Sequence, residues 1–543
     1  MKKLFYNGEI HTMQGDETTV SILVEDGVVT ARGIGPGDPQ AEGAELVDLG
    51  GRLVVPGFHD SHMHYLNYAI DKEKVDFFNC KSLAEMAEAT HAYIKRYGVE
   101  KGQWIQGGGW NENNFEINKL PTRQDLDAIS SDHPMIFTRA CCSVGVANTL
   151  ALKTAGIFEN PPIMDDGVVV VDENGVPTGM LEERARFLLY DIIPNVDKDY
   201  LKKLILGCQQ DLLRAGLTTV QTDDFKLWDA TPQDILDAYF ELDREGKLDV
   251  RFIQQIRLVD HESLDAFLEK GLVTGAGSDF FKIGAYKLLP DGSLGGKTAA
   301  LRQGYAGDEE NRGILTYTED AFYALCEKAH KAGMQLAMHA IGDRTMDVVL
   351  DCYERLEKAH PASDPRFRII HCQITTEDII DRFAQNNIIA DIQPLFVRAD
   401  MHVCEQLIGP ERTEWSYNWK TLLDKGVHCS GSSDAPVEPF DPLLGIYAAV
   451  TRKDLEGTPP GGWLPGQKLS VQQAVALYTT GAAYTAFEED KMGRLCEGCH
   501  ADFIVLADNL FTMDQDKIKD AAVAQTYVGG RCVYDAGKGA AAG

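Results

Sequence analysis

No stretch of the 543-residue sequence is apolar for long enough to span a bilayer, which excludes a membrane-embedded helical protein. The opening run, residues 1–13, carries two lysines but lacks the apolar core of a secretory signal, so the cytoplasm is the expected compartment. Clustered cations are missing as well. Asp and Glu number 83 against 52 Lys and Arg, a formal net charge of -31, and without a basic run to grip phosphates nucleic acid is excluded as a partner. The acidity reads as a well-solvated surface; a bias toward neutral or cationic small molecules is the functional alternative. Internal repeats are absent, and the one biased tract is the Gly/Ala-rich end at 537–543. None of this decides between a monomer and a homo-oligomer.

Cysteine is not scarce, but a disulfide framework is not expected. The 12 cysteines of a long chain without an export signal read as free thiols. One spacing, Cys496-Glu497-Gly498-Cys499-His500, fits the pattern of covalent haem attachment. Such attachment goes with export, and Glu497-Gly498 reads as a turn between strands. The two cysteines are therefore expected to be incidental to that turn.

What the sequence does contain is an alternation of apolar strands and helical segments suited to an α/β barrel. Strands are predicted at 53–58, 217–222, 250–256, 280–289, 334–339, 368–372, 388–393 and 427–431, with helices such as 202–214, 319–332 and 377–385 between them. Eight such strands predict a (β/α)8 TIM barrel over 57–487. The two ends differ in kind. Short strands at 3–6, 20–24, 28–31 and 45–48, and again at 502–506, 522–528 and 531–534, predict one composite β-sandwich domain built from 1–56 and 488–543. The interval between the first and second barrel strands is too long for one crossover. Residues of about 65–200 are thus read as an inserted subdomain, with strands at 104–108, 135–139 and 168–171 and an Asn174-Gly175 turn. An insertion at that point is expected over the C-terminal face of the barrel, as a lid or specificity wall.

The strongest local signal is Gly57-Phe58-His59-Asp60-Ser61-His62-Met63-His64. Strand side chains alternate faces, so His62 and His64 point the same way and two imidazoles can reach one cation. Alone, an H-x-H pair is as often structural. His339 and His371 each end another predicted strand, and Asp434 closes a third. Imidazole and carboxylate suit zinc and similar divalent ions. Lys287 lies near the end of the strand at 280–289. Its ammonium cannot ligate, so it is either a salt-bridged lysine or an amine that takes up carbon dioxide and becomes a bridging carbamate. Lys282, five residues away, faces the other side of the strand.

These residues and their surroundings resemble the amidohydrolase superfamily, and within it the branch that includes N-substituted formamide deformylases. The resemblance covers nearly the whole chain, through Val55 to His64, Tyr286-Lys287-Leu288-Leu289-Pro290-Asp291-Gly292-Ser293, Met338-His339-Ala340-Ile341-Gly342-Asp343, Ile370-His371-Cys372-Gln373 and Gly431-Ser432-Ser433-Asp434-Ala435-Pro436. It implies two divalent metal ions, with zinc expected and manganese or iron able to use the same ligands. His62, His64 and Asp434 would hold one ion, His339 and His371 the other, and carbamylated Lys287 would bridge them. It implies hydrolysis of a non-peptide C–N bond of a small molecule (N-acyl, formamide or cyclic amide) by a metal-bridging hydroxide, with Asp434 as general base and then acid. An esterase, lactonase or carbamate hydrolase would use the same site. A non-catalytic scaffold of the fold would have lost ligands, and every expected position is occupied. In one place the chain departs from its relatives: where they carry Asp-Gly-His, it has Arg139-Ala140-Cys141-Cys142-Ser143-Val144, with Ser143 at the histidine position. That points either to a different substrate or to drift in the insertion. Trp110, Asp291, Ser293, Gln373, Gln393 and Arg398 are weaker candidates for substrate contacts, since polar and aromatic groups at the C-terminal face are often functional.

Overall fold

The computed structural model describes all residues except 141–142, 165, 194–195, 226–229 and 539–543. The chain divides into two compact units, Met1–Asn67 with Lys198–Gly543, and Tyr68–Asp197.

The first unit contains eight parallel strands: β1 (Phe58–Met63), β2 (Leu217–Thr222), β3 (Arg251–Ile256), β4 (Phe281–Leu288), β5 (Leu336–Ala340), β6 (Arg368–His371), β7 (Ile389–Ile392) and β8 (Cys429–Gly431). They are hydrogen-bonded in sequence order from β1 to β8, every pair parallel. Every residue of these strands is buried, as a parallel sheet covered on both faces requires. The seam between β8 and β1 is bridged from just beyond β8: the Asp434 N–H donates to His62 O at 2.9 Å, and the His64 N–H to Ala435 O at 2.7 Å. The barrel expectation therefore holds in a TIM-barrel-like α/β fold.

Its first strand is displaced from the predicted 53–58. Leu53–Pro56 belongs to a different sheet, and the barrel strand starts at Phe58. Gly57 is the crossing point. A Cβ there would lie 2.3 Å from Thr218 Oγ1, so only glycine lets the chain pass β2 this closely. His62 consequently sits within β1 rather than beyond it.

Strands from both ends of the chain share one eight-stranded sheet. Its central strand, Leu53–Pro56, pairs in parallel with Lys2–His11 on one side and antiparallel with Phe503–Leu506 on the other. Phe5, Ile22, Val54, Phe503 and Tyr527 pack in its core. A buried ion pair ties this sheet to the barrel: Arg251, which opens β3, reaches Asp502 at 2.6 Å. The turn at Cys496-Glu497-Gly498-Cys499 departs from the expectation of free thiols. The two sulfurs are joined to each other, which spends both atoms a haem would need.

The second unit has a six-stranded sheet ordered Gly167–Val171, Pro177–Glu183, Val144–Ala147, Met135–Arg139, Ile105–Trp110 and Val75–Asp76. Asn174-Gly175 turns the first two into a hairpin, with Gly175 at φ 77°. Of the segment 139–144, Cys141 and Cys142 lie outside the described residues, and the Ser143 carbonyl accepts from the Glu183 N–H at 2.8 Å. Among the described residues no helix is long and apolar enough to cross a membrane.

Candidate active site

Alternation along β1 brings His62 and His64 to one buried place, where Asp434 meets them from beyond β8. Asp434 Oδ1 lies 3.3 Å from His62 Nε2 and 3.1 Å from His64 Nε2. The ligating atoms of these three residues lie within 4.8 Å of one another. Lys287, near the end of β4, places Nζ 3.3 Å from His62 Nε2. The His371 ring, at the end of β6, is centred 5.9 Å from that of His62 and 4.4 Å from that of His339 on β5. Lys282 does not reach this group; it is paired with Glu488.

The rings are oriented by what holds their other nitrogens. His62 Nδ1 lies 2.8 Å from Gln255 Oε1, His64 Nδ1 2.7 Å from the Asp223 carbonyl, and His371 Nδ1 2.8 Å from Gln393 Oε1. Each partner is an acceptor, so each Nδ1 carries the proton and each Nε2 is left to face the centre. His339 is the reverse: its Nε2 stands 3.0 Å from both Asp291 Oδ1 and the Gly292 carbonyl, leaving Nδ1 as the ring nitrogen open to a cation. Lone pairs of His62 and His64 then converge on the Asp434 oxygen. That arrangement is repulsive unless a proton or a divalent cation sits among the three, so the donor set fits a metal.

Burial shapes the charges. It pulls His62 down to about 4, with Lys287 adding to the effect, and it holds His371 well below the usual imidazole range. Lys287 is pulled down to about 8 by burial, which outweighs the opposing pull of Asp223 and Asp434. Asp434 is the opposite case: burial raises it, but the nearness of His62 and His64 prevails and holds it well below the usual carboxylate range. The backbone is strained at two of these positions, with His371 at φ 85° and Asp434 at φ 57°. Such conformations cost about 1–3 kcal/mol each for residues other than glycine and cluster where geometry serves function.

Beneath the histidines a wholly buried pair, Arg368 and Asp391, pins the strand that carries them. Asp391 accepts from Ser61 and, at 2.8 Å, from Ser430 Oγ, while Arg368 donates to the Ser61 carbonyl at 2.9 Å. Asp60 ties the other flank, accepting from the His62 N–H at 3.0 Å and from Ser433 Oγ at 2.6 Å.

Residues 45–534 match the amidohydrolase family. The chain belongs to that family. Membership makes it an enzyme of the class that hydrolyses carbon–nitrogen bonds. YtcJ of Bacillus subtilis (strain 168), which carries an amidohydrolase name, is 34% identical over 98% of this chain and 100% of its own length. The N-substituted formamide deformylase of Arthrobacter pascens is 27% identical over 91% of each chain. Among solved structures, an uncharacterized metal-dependent hydrolase from Pyrococcus furiosus superposes with a TM-score of 0.78 at 30% identity, covering 94% of this chain and 100% of its own.

The weaker candidates of this amidohydrolase fare differently. Trp110 is fully buried in the core of the second unit, with its indole N–H donated to the Phe137 carbonyl at 2.9 Å, so it presents nothing to a substrate. Asp291 is spent on structure: it accepts from the N–H groups of Ala300 and Gly342 at 3.0 Å each and from Thr345 Oγ1 at 2.7 Å, besides facing His339. Ser293 is exposed and accepts from the Gly296 N–H at 3.1 Å within its own loop. Arg398 is paired with Glu438 at 2.7 Å, and Gln373 Nε2 reaches Asp400 at 3.3 Å. Gln393, read as a substrate contact, instead orients His371 and donates to Ser432 Oγ at 2.7 Å. Sequence reasoning missed Gln255, Asp223, Asp60 and the Arg368–Asp391 pair. Their one signal is a polar side chain that is buried in a barrel strand or, for Asp223, directly after one.

Proposed function

We propose that this amidohydrolase cleaves a non-peptide C–N bond of a small molecule, of the N-acyl, formamide or cyclic amide kind, using divalent ions with zinc first among them. His62, His64 and Asp434 would hold one ion, His339 and His371 the second, and a carbamate on Lys287 would join them. The observation that carries this reading is the convergence of two oriented imidazoles and a carboxylate on one buried point, 3.1 and 3.3 Å apart. The deformylase name of the Arthrobacter relative and the metal dependence named for the Pyrococcus structure support it.

Bound divalent ions supply an acidified water and a polarised carbonyl. The chain's own residues do the rest. Asp434, held ionised by its two histidine neighbours, accepts the proton of the attacking water at Oδ1 or Oδ2 and returns it to the departing nitrogen. Gln255, Gln393 and the Asp223 carbonyl keep the imidazoles in one tautomer while that proton moves. The test is elemental analysis of purified protein together with a panel of matched amides and esters. Bound metal with amide cleavage is expected. Faster cleavage of the esters would reassign the bond, and protein that binds no metal after reconstitution with bicarbonate would overturn the reading.

A further inference from the structure

The chain has far more carboxylates than cations, yet one arginine beside the active site has none of them. Arg257 follows β3 directly, on the end of the barrel where the metal-ligating side chains gather. It makes no hydrogen bond and no ion pair among the described residues, and its Nη1 is buried without a partner. Its place is fixed from both sides. Two residues earlier Gln255 holds His62 Nδ1 at 2.8 Å; one residue later the Leu258 carbonyl accepts from the Tyr286 hydroxyl at 2.6 Å, and Tyr286 adjoins Lys287. The guanidinium is near enough to Lys287 that its charge acts on that buried amine.

A buried N–H left unmade costs roughly 1–3 kcal/mol, and more when the group is charged. A fold with 83 acidic side chains could have supplied a partner. We propose that Arg257 is the anion-recognition residue of this site and that the substrate carries a carboxylate, which the guanidinium captures while the scissile C–N bond lies at the histidines. This rests on the hydrolytic reading above and refines it. It also reverses the bias suggested by net charge: the surface is acidic, but beside the centre a guanidinium is left without a protein partner. Arginine suits the task because its planar fork matches a carboxylate with two parallel hydrogen bonds. A site built around such a pair rejects an analogue that lacks the charge, because the buried N–H would again go unpaired.

The experiment compares N-acetylglycine with N-acetylglycinamide, which differ in that charge, on metal-loaded wild type, Arg257→Gln and Arg257→Lys. Binding is measured by calorimetry, and amine release is followed separately. Wild type is expected to bind the anion at least tenfold more tightly than the amide. The gap should close in Arg257→Gln and reopen in part in Arg257→Lys, with both variants melting as wild type does. Equal or undetectable binding of the two probes by wild type overturns the proposal, whether or not either is cleaved. So does a preference that survives in Arg257→Gln, which would place the carboxylate on the metal ions instead. Preference for the anion without cleavage of any amide leaves Arg257 in its role and overturns the hydrolytic reading.

Discussion

Gln393 Oε1 stands 2.8 Å from His371 Nδ1, and the same amide donates to Ser432 Oγ at 2.7 Å, so the orientation of the His371 ring is set by a residue of the neighbouring strand's end. Residues in this relation to a metal ligand typically contribute about 10–100-fold in metal affinity. Gln393→Ala should therefore fold and bind metal about 10–100-fold more weakly. Competition with a chelator measures this, and an unchanged affinity would show that His371 needs no such tie.

Asp434 makes the sharpest separation between folding and turnover. Asp434→Asn keeps the side chain's shape and its backbone bond to His62 O, so thermal unfolding should be near that of wild type. The amide cannot accept the proton, and turnover should be nearly abolished. Wild-type-like amide cleavage would remove Asp434 from its role.

Lys287 gives a dependence on pH and on carbon dioxide. An amine at about 8 is neutral in roughly one molecule in ten at pH 7, against roughly one in three thousand for an ordinary lysine. The neutral amine is the form that takes up carbon dioxide, and its share grows as pH rises toward and past 8. Stripped enzyme given metal should regain activity faster with bicarbonate than without, and faster at pH 8.5 than at pH 6.5. Equal recovery in carbon dioxide-free buffer would mean that no carbamate forms.

The Arg251–Asp502 pair carries a stability prediction. Burial raises Asp502, but the Arg251 charge and hydrogen bonds prevail and hold it below the ordinary carboxylate value. A carboxyl lowered on folding stabilises fully above its unfolded pKa of about 3.9 and loses that contribution as pH falls through its folded value. Removing one partner of a buried pair costs about 3–5 kcal/mol. Asp502→Asn should be less stable than wild type by about that much at pH 7 and approach it below about pH 4, as read from denaturant unfolding.

Much of the barrel is legible in the sequence because parallel strands buried on both faces read as short apolar runs bounded by helices. The strand at 217–222 is predicted as it stands. The first strand is misplaced because the apolar run from Leu53 to Phe58 contains two strands, and only the closeness of Thr218 to Gly57 separates them. The histidines stand out as metal-capable side chains at strand ends. Their supports do not: Gln255 in its strand and Asp223 just after one look like any other polar residue until a partner is brought across the barrel. The partners of Asp291 and Gln393 are hidden for the same reason, since a loop position at the C-terminal face does not say whether a polar group already has protein partners.

Leu53–Pro56 leads through Gly57 into His62, and one of its two neighbours in the sheet is Phe503–Leu506. During synthesis the ribosome releases these partners far apart in time. Until the later one emerges, Leu-Val-Val-Pro has Lys2–His11 on one side only, and its other side is an open apolar edge, a template for any other extended chain. The histidine-bearing end of the barrel thus waits on a segment made long after it, and expression in cells tests that interval more severely than refolding of the whole chain does.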